Sequence, residues 1–212
     1  KRIVYSESHD EVANGKARVP QEVDPDNPTS WLAQKRSTLA AGLVFTSPGI
    51  PMLFQGQEFL QGDWFRDDVP LDWYQIEEFR GIARLYRDLI RLRLNVQDLS
   101  RGLKGQYINV FHINQSNTML AFQRWDKHGS GDDVVVVTNF GNKFRQGYKI
   151  GFPNGGLWRL RFNSDAGIYS KAFANTKSFD VEALEGKKDG MSHTGTVDIA
   201  PYSVLIYSQD PQ

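Results

Sequence analysis

The sequence has no cysteine among its 212 residues. Without thiols the chain has no disulfide framework, no thiolate metal site and no cysteine nucleophile, and a reducing compartment such as the cytoplasm is consistent with this. Net charge is absent too, with 25 basic and 25 acidic residues, whereas nucleic-acid-binding proteins ordinarily have a surplus of lysine and arginine. No uninterrupted apolar run approaches the roughly 20 residues of a membrane helix. We therefore expect neither nucleic acid nor membrane as a partner.

The first residues do not have the form of a targeting segment. Lys1-Arg2-Ile3-Val4 lacks the apolar region and small-residue cleavage site of a secretory signal peptide, and the sequence has no initiator methionine. Residues 3–5 form a β-prone run, so the sequence starts inside a predicted strand. We therefore expect the chain to be part of a longer protein.

Residues 1–98 alternate between strand and helix patterns. Such strand–helix units favour parallel strands with helices outside them, and two apolar strands need further neighbours to be covered on both faces. This segment is therefore expected to be part of a larger α/β domain. Residues 14–28 are expected to lack regular structure, because they carry one glycine and three prolines. The predicted elements are a strand at 3–5, a helix from a cap at Thr29 or Ser30 to Phe45, a strand at 50–54 and a helix at 77–94.

Residues 99–212 have a different pattern. Short β-prone runs follow one another with turn signals between them, which is typical of an antiparallel β-sandwich. Residues 171–193 are polar and show no clear periodicity, so we expect a surface excursion there. The predicted strands are 107–113, 118–125, 134–140, 148–152, 157–162, 196–199 and 203–208.

Polar side chains follow both strands of the first segment. His9 and Asp10 come directly after the first strand, and Glu58 comes just after the second. The carboxyl ends of parallel strands meet at one edge, where catalytic groups of β-α proteins lie. Three aromatic residues of the second loop, Trp64, Phe65 and Trp73, offer apolar faces on which sugar rings pack. A plainer interpretation stays open, in which His9 and Asp10 form a local turn and the tryptophans belong to the core.

Other chemistries find little support in the sequence. The segment Ser8-His9-Asp10 cannot act as a catalytic triad, because neighbouring residues on one strand cannot form the required mutual hydrogen bonds. His112, His128 and His193 are scattered and lack the helical His-Glu-x-x-His pattern of zinc sites, so they are expected to be surface or hairpin residues. We expect no metal and no cofactor.

Three ordered segments carry a resemblance to a known family. The run Ser6-Glu7-Ser8-His9-Asp10-Glu11-Val12, followed by Asn14-Gly15-Lys16, resembles the last short signature region of the α-amylase superfamily of glycoside hydrolases. Its Ser-His-Asp-Glu-Val form looks most like the bacterial glycogen branching enzymes. Residues 48–59 resemble the eighth barrel strand and its loop, and residues 71–89 resemble the segment that leads into the last barrel helix. Residues 134–140, 162–165 and 201–203 are similar to the C-terminal β-sandwich of the superfamily.

This resemblance implies a fold and roles for particular residues. Residues 1–98 would be the last two β-α units of a (β/α)₈ TIM barrel, and residues 99–212 the C-terminal β-sandwich domain. Asp10 would be the third catalytic carboxylate, which stabilises the transition state, and His9 would bind the same sugar ring. Glu58 would support the site rather than touch substrate. The nucleophile and the acid/base carboxylate would lie upstream and be absent from this chain, and Glu7 and Glu11 are not expected to replace them.

The implied activity is transfer of α-1,4-glucan segments to make α-1,6 branches, with retention through a covalent glycosyl-enzyme. Its partners would be an α-glucan and the missing N-terminal portion of the barrel, and the chain alone is expected to be inactive. Two alternatives stay open. One is an α-amylase-like hydrolase of α-1,4-glucans. The other is a non-catalytic glycan-binding module, with Trp125 or Trp158 as a contact, although we expect a structural role for both tryptophans.

Overall fold

A computed structural model of the chain describes residues 2–211. Lys1 and Gln212, the outer limits of the two predicted domains, lie outside the described residues. Strands β1 (Ile3–Val4) and β2 (Ile50–Pro51) pair in parallel, with Ile3 opposite Ile50. The strand expected at 50–54 is only two residues long. Beyond it the Met52 amide still donates to the Val4 carbonyl at 2.9 Å, whereas the Phe54 amide donates to the side chain of Gln57 at 2.7 Å.

Four helices accompany this pair. Ser30 caps the long helix as expected, since its hydroxyl accepts a hydrogen bond from the Ala33 amide at 3.2 Å. The helix expected at 77–94 is divided in two at Phe79, a buried residue with φ −104° and ψ 30°. The bounds are α1 Val19–Val23, α2 Trp31–Thr46, α3 Gln75–Glu78 and α4 Arg80–Arg93.

The expectation that residues 14–28 lack regular structure is wrong, because α1 lies among them. Pro20 stands in the first turn of that helix, where its missing N–H has no intrahelical partner to lose. A proline in this region therefore marks the beginning of a helix and not only a loop.

Eight strands form one antiparallel sheet in the order β3-β4-β5-β10-β7-β8-β9-β6. The sheet folds over, so that β6, β8 and β9 share a core with β4, β5 and β10, and the predicted sandwich is confirmed. The 3-10 helices Gln57–Phe59 and Arg101–Leu103 complete the structure. The strands are β3 Tyr107–Asn114, β4 Met119–Trp125, β5 Val134–Asn139, β6 Arg145–Phe152, β7 Gly156–Asn163, β8 Val181–Lys188, β9 Met191–Ile199 and β10 Ser203–Ser208.

The expectation of a surface excursion at 171–193 is wrong for the second half of this segment, which forms β8 and the beginning of β9. Val181 and Ala183 face the core of the sandwich, and the residues between and after them face solvent. Leu184 breaks the alternation, because this apolar side chain is 63% exposed, and residues 185–188 after it are polar or glycine, so the two-residue periodicity of the strand is lost from the sequence pattern.

Strands β5 and β10 are buried along their whole length. On β5, Val135 and Val137 belong to the core of the sandwich, while Val134 and Val136 pack with the helices. The core that contains Val134 and Val136 therefore joins the sheet to α2 and α4. Gly42 shows how close this contact is, because a Cβ added there would lie 2.7 Å from a methyl carbon of Val204.

A buried ion pair crosses the same contact between helix and sheet. The Lys35 ammonium of α2 lies 2.7 Å from Asp165 Oδ1 and 2.7 Å from the Ser203 hydroxyl, and 4.8 Å from the centre of the Phe173 ring. Burial lowers the pKa of Lys35, and the neighbouring carboxylate opposes this shift. The other oxygen of Asp165 accepts the Thr176 amide at 2.8 Å, so one carboxylate joins α2 to the loop after β7.

Replacing Lys35 by methionine tests this pair. In Lys35→Met the Asp165 carboxylate stays buried without its counter-charge, so we expect the free energy of unfolding to fall by about 3–5 kcal/mol, as measured by urea unfolding. The Lys35→Met/Asp165→Asn double variant should recover much of the loss. The control Lys149→Met, at an exposed position, should stay within about 0.5 kcal/mol of the parent. Equal stability of Lys35→Met and the control would contradict the role of the pair.

Candidate functional site

A tight turn at the end of β1 holds His9 and Asp10. The amides of Glu11 and Val12 both donate to the Ser8 carbonyl at 3.1 Å. The turn brings the two side chains together, with His9 Nε2 3.3 Å from Asp10 Oδ1, and leaves them 70% and 82% exposed. Both groups are therefore free to reach a ligand in front of the strand end.

Glu7, from the same segment, points into the protein. Its carboxylate accepts the Val19 amide at 2.9 Å and Arg18 Nη1 at 3.3 Å, and Arg18 Nη1 also donates to the Gln55 carbonyl at 2.8 Å. Burial is the largest influence on both groups, raising the pKa of Glu7 and lowering that of Arg18. Since desolvation offsets the attraction between such charges, we assign this pair to positioning the loop.

The Glu7–Arg18 pair is not predicted by any pattern in the sequence. Its members lie 11 positions apart, a spacing that belongs to no helix or strand periodicity. They meet only because the loop after β1 folds back over its own strand end. No local signal in the sequence marks them as partners.

Glu58 lies in the 3-10 helix after β2 and is half-buried. Its Oε2 accepts the Gly56 amide at 3.1 Å. In the described part of the chain its carboxylate hydrogen-bonds within its own loop and not to His9 or Asp10. Glu58 therefore remains a predicted supporting residue.

The loops after β1 and β2 are joined by direct hydrogen bonds. Gln57, which is buried, donates from Nε2 to the Ser6 hydroxyl at 2.8 Å and accepts the Phe54 amide at 2.7 Å. The Phe65 amide adds a second link by donating to the Val12 carbonyl at 2.6 Å. Gln57 and Ser6 are 51 positions apart, so their contact depends on parallel pairing of the two strands.

A cleft of about 300 Å³ is lined by Arg18 and by parts of residues 61–71 of the second loop. Trp64 is exposed there, and the Arg66 guanidinium lies 5.3 Å from the centre of its ring. Phe65 packs edge-on against Phe54 at 5.3 Å. Trp73 is also exposed, beside Phe59. The plain alternative that put these tryptophans in the core is wrong, and the loop offers accessible aromatic faces.

The three scattered histidines do not meet. His112 lies in the antiparallel hairpin of β3 and β4, one of the two kinds of position expected for it, and is buried there beside Asp189 at 3.0 Å and the Tyr148 hydroxyl at 2.8 Å. Within residues 2–211, no three His, Cys, Asp or Glu side chains form a group suited to a metal ion. Over the same residues, every helix is too short or too polar to span a bilayer.

Comparisons with known proteins agree with this architecture. Residues 109–210 match the model of the family described as "Alpha amylase, C-terminal all-beta domain". The chain is 34% identical over 211 residues to 1,4-alpha-glucan branching enzyme GlgB 2 of Xanthomonas oryzae pv. oryzae, covering 97% of this chain. The chain belongs to the α-amylase superfamily. It is also 33% identical over 211 residues to the branching enzyme GlgB of Rhodospirillum rubrum.

These relatives are much longer than the chain, which spans 28% of the Xanthomonas enzyme and 27% of the Rhodospirillum enzyme. Among solved structures, pullulanase from Anoxybacillus sp. LM18-11 in complex with maltotetraose matches 98% of this chain and 27% of its own, with a TM-score of 0.64 at 19% identity. The α-amylase from H. orenii matches 98% of this chain and 40% of its own, with a TM-score of 0.59 at 17% identity. At such identities the likeness concerns the fold.

Removing the Gln57 side chain tests the link between the two loops. In Gln57→Ala the Phe54 amide and the Ser6 hydroxyl lose their shared partner, so we expect the free energy of unfolding to fall by about 1–3 kcal/mol in urea titration. The matched control is Gln97→Ala, at an exposed position, which should change stability by less than about 0.5 kcal/mol. If both variants unfold at the same urea concentration, Gln57 is not what joins the loops.

Proposed function

We propose that the chain is the C-terminal part of a 1,4-α-glucan branching enzyme. Residues 1–98 would supply the last two β-α units of a (β/α)₈ barrel, and residues 99–212 the β-sandwich domain. The parallel β1–β2 pair, with a loop and a helix after each strand, supports the barrel assignment. The observation that carries the proposal is the exposed His9–Asp10 pair at the end of β1, in a chain so similar to enzymes of that name.

Asp10 would act on the transition state of glycosyl transfer. That state is a flattened, oxocarbenium-like sugar, and only interactions stronger there than in the ground state accelerate the reaction. A carboxylate at a rigid strand end forms charge-assisted hydrogen bonds to sugar hydroxyls, which are about twice as strong as neutral ones. His9, 3.3 Å from Asp10, would bind the same ring and limit its orientation.

The remaining catalytic groups would come from outside this chain. A retaining enzyme places a nucleophile and an acid/base carboxylate about 5–5.5 Å apart, on either side of the scissile bond. Glu7 is buried and hydrogen-bonded to Arg18 and Val19, and Glu58 is bonded to its own loop. Glu7 is thus occupied inside the protein and Glu58 is directed to its own loop, so the chain alone would bind glucan without turning it over.

The binding-module alternative loses one of its two contacts. Trp158 is 0% exposed, and its indole N–H donates to the Asn154 carbonyl at 3.0 Å, so its ring is a core element that cannot touch a glycan. Trp125 is half-buried and lies nearly parallel to the rings of Tyr107 and His128, at centre-to-centre distances of 5.6 Å and 4.6 Å. The structural role expected for both tryptophans agrees with these contacts.

Proton NMR of amylose incubated with the complete gene product tests the proposed reaction. Branching should raise the α-1,6 anomeric signal without new reducing ends, because a sugar hydroxyl takes the glycosyl group. New reducing ends alone would make the protein a hydrolase, since water would then be the acceptor. If neither signal changes, the non-catalytic alternative replaces the enzymatic one.

Replacing Asp10 tests the residue assignment. Asp10→Asn keeps the size of the side chain and removes its charge, so turnover should fall about 10²-fold or more, while the apparent affinity for glucan changes much less. The matched control is Glu11→Gln, one residue further along the same exposed turn. Its turnover should stay within about twofold of the parent. Near-parent turnover in Asp10→Asn, or equal losses in both variants, would contradict the role of Asp10.

A further inference from the structure

A two-residue turn at Asn14-Gly15 follows the segment that carries Asp10. The Lys16 amide closes the turn by donating to the Ala13 carbonyl at 3.1 Å. Asn14 and Gly15 have φ values of 56° and 83°, a left-handed conformation that asparagine and glycine adopt more readily than other residues. Both are exposed, and a Cβ added at Gly15 would meet no atom within 4 Å. The turn therefore projects into solvent.

The peptide group between Asn14 and Gly15 is not held by hydrogen bonds. Within residues 2–211, the Asn14 carbonyl, the Asn14 side-chain amide and the Gly15 amide all lack a hydrogen-bond partner. Glycine also has no side chain to shield its own nitrogen. The Gly15 nitrogen can therefore approach Cγ of Asn14 by rotation of an exposed backbone.

The chain contains a second Asn-Gly pair, Asn154-Gly155, in which the corresponding groups are held. The Asn154 carbonyl accepts the indole N–H of buried Trp158 at 3.0 Å, and Asn154 Nδ2 donates to Asp133 Oδ2 at 3.4 Å. Turning the Asn154 side chain and peptide group towards the reactive arrangement would break these bonds. The two pairs have the same local chemistry, so a difference in their rates comes from the surrounding structure.

The segment around Asn14 is tied to the protein on both sides. Ala13 forms an isolated parallel bridge with Phe65, which belongs to the loop after β2. On the other side, the buried Arg18 is paired with Glu7. A change in the length of the main chain at Asn14 must therefore be taken up between two anchored positions.

We propose that Asn14 is a site of spontaneous deamidation, and that isoaspartate formed there loosens the contact between the loops after β1 and β2. The Gly15 nitrogen loses its proton and forms a bond to Cγ of Asn14, and the side-chain nitrogen takes up a proton and leaves as ammonia. Water then opens the cyclic imide. Cleavage between nitrogen and the main-chain carbonyl carbon gives isoaspartate, and cleavage between nitrogen and Cγ gives aspartate.

Isoaspartate at this position lengthens the main chain by a methylene group and adds a carboxylate. The extra length is taken up at the exposed turn and at the bridge from Ala13 to Phe65, because neither is part of a continuous strand ladder. The modification itself requires no activity of the protein. Only its consequence for Asp10, which lies on the same segment, rests on the proposed function.

Peptide mapping by mass spectrometry, after incubation of the complete gene product in mildly alkaline buffer, tests the site. Because hydrogen bonds hold Asn154, the native protein should lose the Asn14 amide about three- to tenfold faster than the Asn154 amide. In urea-denatured protein the two pairs should react at similar rates. Isoaspartyl and aspartyl peptides have equal mass and are told apart by their separate elution.

Two matched variants connect the modification to the loops through limited trypsin digestion, which detects local opening. Asn14→Gly has no amide to lose and suits the positive φ of the turn, so its rate of cleavage after Lys16 should stay constant during incubation. Asn154→Gly removes the other pair. It should behave like the parent, with cleavage after Lys16 that becomes faster as isoaspartate accumulates.

The outcomes separate this proposal from the proposed function. Faster loss of the Asn14 amide, with constant cleavage in Asn14→Gly and accelerating cleavage in Asn154→Gly, supports the proposal even if the gene product makes no α-1,6 branches. Equal rates at Asn14 and Asn154 in the native protein overturn the site even if branching is observed. Accumulation of isoaspartate at Asn14 without faster cleavage after Lys16 overturns its effect on the loops.

Discussion

The central strands β5 and β10 are buried on both faces, and the rest of the chain packs around them. One face meets the outer strands of the folded sheet, and the other meets α2 and α4. Each buried valine or leucine contributes about 1.5–3 kcal/mol relative to an exposed one, so the two cores together hold the molecule in a single arrangement. Lys35 and Gly42 of α2 fit the same contact, one through a buried ion pair and the other through close approach to Val204.

This packing also determines where the candidate site lies. Helix α2 connects the loop after β1 to β2, and α4 follows the loop after β2. Because both helices are fixed against the sheet, the parallel β1–β2 pair needs only two residues per strand to hold its register. Gln57 then joins the two loops at the strand ends. The packed core beneath the candidate site therefore fixes the positions of the two strand ends, and the hydrogen bonds between the loops fix the loops relative to each other.

The charged side chains of the segment after β1 point in two directions, into the protein and towards solvent. Glu7 faces inward and is satisfied by Arg18 and the Val19 amide, whereas Asp10 faces solvent with His9 beside it. A buried carboxylate with its hydrogen bonds occupied serves the structure, and an exposed one with free lone pairs is available for a ligand. The same division recurs in the sandwich, where the buried carboxylate of Asp133 accepts a hydrogen bond from His128, whose side chain remains 56% exposed.

The sequence by itself determined the parts that depend on local pattern: the helix capped by Ser30, the strands β3 and β4, the antiparallel sandwich, and the His9-Asp10 motif that pointed to the α-amylase superfamily. Local spacing and turn residues suffice for these. Only the tertiary structure decided that β8 lies within residues 171–193, that Phe79 divides the last helix, and that Glu7 meets Arg18. In β8 the exposed Leu184 interrupts the alternation of apolar and polar residues. The buried Glu7–Arg18 pair and the two cores join residues far apart along the chain, which no local pattern records.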